Sequence, residues 1–147
     1  MSSGTTRVSI SQGTQEKVRV GVTQRGPAGS DGADGPFGPK SITISYPTAS
    51  EDVTLLYTNQ SVTISKISSV LTQNASSNVA FTIRKDINRS NTGTEVKTGG
   101  FYCNSNTVPN SYTNFDSATI GANTFMWLET TSATGSVQEF HLTIELE

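Results

Sequence analysis

Gly26, Gly29, Gly32, Gly35 and Gly38 recur at every third position, in five uninterrupted triplets: Gly-Pro-Ala, Gly-Ser-Asp, Gly-Ala-Asp, Gly-Pro-Phe and Gly-Pro-Lys. Three polyproline-II strands wind round a common axis only if every third residue lacks a side chain, because nothing larger fits there. Pro27, Pro36 and Pro39, each second in its triplet, hold φ near the value this conformation needs. The chain has 13 glycines in 147 residues, too few for five to fall into strict register without a reason. The competing reading, a flexible Gly/Pro linker, leaves that register unexplained. Residues 26–40 are therefore expected to form a collagen-like triple helix, and the chain to work as a homotrimer.

At about 3 Å per residue this run makes a rod of roughly 45 Å. So short a rod is marginal alone. Asp31 and Asp34 weaken it further, because both occupy the third place of a triplet and no basic residue lies between them. Three chains would bring these carboxylates close enough to repel one another. The expectation runs outward from the rod: residues 41–147 should supply the trimer contact and set the register.

That distal part reads as short strands broken by polar turns. Ile42, Ile44 and Tyr46 alternate with polar residues, Val53 to Tyr57 is a compact apolar run, and Val62 and Ile64 precede Ile67, Val70 and Leu71. Val79, Phe81 and Ile83 alternate next, Phe101 and Cys103 flank Tyr102, and Phe140, Leu142, Ile144 and Leu146 close the chain. Phe125 to Leu128 is apolar on both faces of a strand, which suits burial between layers or against a neighbouring subunit. Turns are expected over 88–93, at Gly99-Gly100, over 104–110 and over 132–135. No window keeps a helical apolar period. The fold class expected is all-β: a β-sandwich or jelly-roll head over 41–147, the triple-helical shaft over 26–40, and a strand-like anchor over 1–25. In the anchor Val8 and Ile10, then Val18, Val20 and Val22, alternate with polar or small residues, too little to fold without a partner.

Ten basic and 12 acidic residues give a formal charge of −2 with no like-charged block, so a nucleic-acid partner is not expected. No stretch reaches the roughly 20 apolar residues that span a bilayer, and Met1 to Thr6 lacks the basic and apolar regions of a secretory signal. No membrane partner is expected, and assembly is expected in a cytoplasm. Cys103, the only cysteine, rules out an intrachain disulfide and reads as a small buried hydrophobe.

Chemistry finds little to stand on. One histidine, His141, and one cysteine cannot complete a zinc site within a chain, and no G-x-S-x-G turn accompanies that histidine. No catalytic residue, metal or cofactor is assigned, and the chain is not expected to be an enzyme. Among the aromatics, Tyr102 and Tyr112 lie in polar surroundings and are the candidate contacts for a glycan or protein partner. Phe125, Trp127, Leu128, Phe140 and Leu142 are assigned to the core or the trimer interface.

A short collagen-like run joined to an all-β head resembles fibre and decoration proteins of tailed bacteriophages. The stretch Ser41-Ile-Thr-Ile-Ser-Tyr-Pro-Thr and the stretch Ile120-Gly-Ala-Asn-Thr-Phe-Met-Trp-Leu-Glu carry the resemblance in the head. It implies a structural virion protein anchored on a capsid, neck or tail through residues 1–25, with host surface glycans as candidate partners of the exposed knob. The same layout is similar to bacterial surface collagens with a trimeric head like that of tumour necrosis factor or C1q, which is the alternative.

Overall fold

The structure, a computed structural model, describes residues 18–19, 38–72 and 76–147. The expected glycines Gly26, Gly29, Gly32 and Gly35, and the anchor residues Val8, Ile10, Val20 and Val22, lie outside the described residues. Among those described there are strands and no helix. In chain order they are β1 (Val18–Arg19), β2 (Lys40–Ser45), β3 (Asp52–Thr58), β4 (Val62–Thr72), β5 (Asn78–Asp86), β6 (Thr94–Glu95), β7 (Phe101–Cys103), β8 (Asn110–Tyr112), β9 (Thr119–Ile120), β10 (Thr124–Thr134) and β11 (Glu139–Leu146).

The strands build two sheets in which every pairing is antiparallel. One runs β1-β2-β11-β4-β8, with β9 beside β4; the other runs β3-β10-β5-β6, with β7 also on β5. Successive strands from β2 to β5 thus alternate between the sheets, so each connection passes from one layer to the other.

Period-2 alternation places one row of each strand inside. Ile42 and Ile44, Phe140, Leu142 and Ile144, and Val62, Ile64, Ile67 and Leu71 face Val79, Phe81 and Ile83, Phe101 and Cys103, and Met126 and Leu128 from the second sheet. Phe81 sits at the centre, with its ring centroid 5.3 Å from Phe101 and 5.1 Å from Phe140. Edge and offset contacts at this range add to the apolar area these rings bury.

Two irregularities explain positions where strict alternation fails. Glu145 of β11 pairs with Lys66 but Leu146 with Ile64, so Ser65 is the extra residue of a bulge. The bulge switches the buried row from Val62 and Ile64 to Ile67 and Leu71, and turns Val70 outward. On β3, Leu55 is the extra residue, because Met126 pairs with Leu56 and Trp127 with Thr54. The turn expected over 132–135 is shorter than the sequence indicated. Residues 132–134 pair with β5, and the chain reverses only at Gly135, whose φ of 75° and close approach to Ser77 leave no room for a side chain.

The two flanks of the sandwich differ. On one flank the strands are short, and Tyr112 of β8 reaches across to the backbone of β7. On the other, β3 is outermost in its sheet, and β2 is bordered on its outer side by the two-residue β1. Among the described residues, Val18 and Arg19 are the ones that pair with the outer side of β2, opposite Ile44 and Thr43.

Candidate functional site

The charged and aromatic side chains of the head gather on the outer face of the sheet β3-β10-β5-β6. Trp127 starts the arrangement. It alternates with Met126 and Leu128 and therefore points away from the sandwich core, yet it is fully buried. The turn over 87–93 covers it: a Cβ on Gly93 would stand 2.3 Å from the indole, and the Arg89 guanidinium lies 4.5 Å from the ring centroid. A cation over the indole face is attracted by the ring quadrupole. The sequence expectation of core or interface is refined accordingly: Trp127 forms a small second core under a loop.

Asp86 shapes that turn. Its carboxylate accepts from the Asn88 amide at 2.9 Å and from the Asn91 side chain at 3.0 Å, and Asn88 in turn accepts from the Ser90 amide at 3.0 Å. Such Asx turns are why Asn and Asp cluster there. The turn delivers Arg89 to the sheet, where its guanidinium pairs with Asp52 and donates to Thr54 at 3.0 Å.

Arg84 secures the other side. It donates to Glu129 at 2.8 Å and to Glu95 at 2.9 Å, and a further N–H reaches the Thr92 carbonyl. Glu129 also accepts from the Trp127 indole N–H at 2.7 Å, so one carboxylate joins the arginine to the tryptophan. Charge-assisted, planar pairing of this type fixes geometry as well as adding energy. The arrangement holds the loop on the sheet; its arginines and acids are engaged with one another.

Beyond Asp86 on the same face lies an apolar contact surface. Phe125 pairs with Tyr57 across the strands, their ring centroids 4.7 Å apart, and Tyr57 is 52% exposed. Ile87 is also exposed at this end of the sheet. The sequence expectation for Phe125 is core or interface, and none attaches to Tyr57, which ends the compact apolar run from Val53. The bulge at Leu55 is what brings Tyr57 outward, and no local sequence signal marks that bulge.

Of the other assigned residues, Leu128, Phe140 and Leu142 are in the core. Tyr102, on the short-stranded flank, is exposed. Tyr112 is half-buried against Phe101, with ring centroids 5.0 Å apart, and its hydroxyl is tied to the Tyr102 backbone. The structure therefore brings the two tyrosines together, with Tyr112 acting as a brace. Gly38 is exposed with nothing near it, and Val18 falls in β1.

The outer face of the other sheet carries His141 between the Thr43 hydroxyl at 2.7 Å and the Glu139 carboxylate at 3.2 Å, among hydroxyls of Ser41 and Thr143. Cys103 is buried, and burial pushes its thiol up; the Ser69 hydroxyl and the Ser105 backbone oppose this weakly. The Ser69 hydroxyl nevertheless has no hydrogen bond of good geometry. Lys85 donates to the carbonyls of Ser117 and Thr119, and burial lowers its pKa. Among the described residues no group of His, Cys, Asp and Glu is arranged to hold a metal ion. No family model, curated protein or solved structure matches this chain.

Proposed function

We propose that the chain is a structural virion protein, a homotrimeric short fibre or decoration protein of a tailed bacteriophage. Residues 1–25 attach it to a capsid, neck or tail, residues 26–40 form a collagen-like spacer, and residues 41–147 form the exposed knob. The observation that carries this reading is the junction. Lys40 ends the triplet Gly38-Pro39-Lys40 and is also the first residue of β2, so the glycine register passes into the head without a linker. A rod so joined transmits its threefold order directly to the sheets.

The strand orders support a jelly-roll head. Setting aside the two-residue strands, β2-β11-β4-β8 and β3-β10-β5-β7 are the orders that two interleaved Greek keys give. The same orders favour the second reading, a bacterial surface collagen with a tumour-necrosis-factor-like or C1q-like head that acts as a lectin or adhesin. Adhesion to host surface glycans is compatible with both.

Antibody labelling of intact phage particles in the electron microscope separates them: decorated particles support the virion role, and label confined to the bacterial surface supports the alternative. The rod has its own test. Replacing Asp31 and Asp34 together by proline should raise the temperature at which the triple-helical circular-dichroism signal is lost, because two like charges leave each chain and two pre-set φ angles enter. Unchanged melting would count against the triple helix.

A further inference from the structure

We infer that the flank formed by β2 and β3 is the surface on which three copies of the head pack, with the β3 edge and the Tyr57–Phe125 pair of one copy set against the β2 edge of the next. The inference rests on the trimer reading and names the surface it uses.

The junction at Lys40 gives the first argument. Three chains wound on one axis bring three copies of residues 38–40 within the width of a triple helix. β2 starts there, so β2 and the flank it borders must turn toward the axis. The chain path puts the aromatic pair at the same end: β2 leaves the rod end at Lys40, β3 returns to it at Thr58, and β10 departs from it at Thr124, paired with Thr58.

The β3 edge is itself open to a partner. From Val53 to Thr58 it carries no proline, lysine or arginine, and its outer side has no backbone partner among the described residues. Arg89 reaches this strand only at its Asp52–Thr54 end, so the stretch from Leu55 to Thr58 is left as a template for pairing, which natural sheets normally blunt. The opposite flank is blunted by short strands and by the Tyr112 brace.

Symmetry supplies the third. A threefold ring uses two different patches per contact, so β3 cannot close it by meeting another β3. The β2 edge is the complementary patch once it is uncovered. Arg19 and Gly26 are seven residues apart, which spans at most about 25 Å. An extended rod would hold Gly26 roughly 45 Å from the head. The β1–β2 pair and the rod therefore exclude each other within one chain, and forming the rod opens β2.

The test uses the full chain in light scattering over a dilution series. Tyr57 and Tyr102 are equally exposed, at 52% and 53%, on opposite flanks. Tyr57→Glu should raise the concentration at which the trimer dissociates at least tenfold, with Trp127 fluorescence unchanged, while Tyr102→Glu leaves it as in the wild type. Equal trimer strength in both variants, or weakening by Tyr102→Glu alone, overturns the assignment. Ser41→Cys, one residue beyond the rod, should oxidise to covalent dimers within the trimer, and Ser111→Cys on β8 should not; a trimer that fails to cross-link through position 41 also overturns it. A monomeric wild type would instead remove the trimer reading itself.

Discussion

The Tyr112 hydroxyl donates to the Tyr102 carbonyl at 2.6 Å and accepts from the amide of the same residue at 3.1 Å, so one side chain satisfies both backbone groups of an edge-strand residue in the opposite sheet. A brace of this kind closes the flank of a sandwich where the strands are too short to do so. Tyr112→Phe keeps the ring against Phe101 and deletes both bonds. It should cost about 1–2 kcal/mol, read as a lower urea midpoint with an unchanged slope. Hydrogen exchange at the Tyr102 amide should accelerate more than at Val79.

Gly93 meets two constraints at once, a φ of 71° and an indole where its Cβ would be. Gly93→Ala should destabilise the head by at least about 2 kcal/mol, since the left-handed conformation alone costs an alanine roughly 1–2. The substitution should also shift Trp127 emission to the red as the turn lifts and water reaches the ring. Arg89→Ala, which uncovers the ring without a clash, should give the same red shift at a smaller cost in stability.

Asp116 accepts from the Thr98 amide at 2.8 Å, and that bond, ahead of the nearby Lys97 charge, holds its carboxyl below the ordinary range. Its stabilising contribution is therefore complete above the ordinary aspartate value of about 3.9 and is lost as pH falls through the lower folded value. The stability difference between wild type and Asp116→Asn should be constant near neutrality and vanish in strong acid. A difference that grows as the solution is acidified would refute this linkage.

Cys103 titrates in the other sense. Burial favours its neutral thiol, so the unfolded chain ionises first, and stability should fall as pH rises above the ordinary thiol value of about 8.5. Cys103→Ala should lose that alkaline decline even though it leaves a small cavity. Ellman's reagent should label the thiol only after denaturant unfolds the head.

How far the sequence reveals this depends on what each residue answers to. Phe140, Leu142 and Ile144, or Val79, Phe81 and Ile83, alternate because a single face is buried, and the strands they mark are where expected. Trp127 is legible as buried but not as buried outward, because its cover comes from the distant turn that holds Arg89 and Gly93. β6, β8 and β9 have two or three residues each and carry no period of their own. They exist because longer neighbours offer them an edge. The Arg84–Glu129–Trp127 contact was invisible for the same reason: it joins residues whose nearness is created by the β5–β10 register.

The absence of a linker at Lys40 also has a mechanical meaning. Tension applied to β2 at Lys40 along the strand's own axis would act on the ladder it shares with β11, paired from Lys40–Ile144 to Ser45–Glu139. Tension in that direction slides one strand past the other and loads the whole ladder together, whereas a perpendicular pull would open it one bond at a time. Attached in this way, the proposed knob would be suited to bearing drag at the end of the proposed shaft.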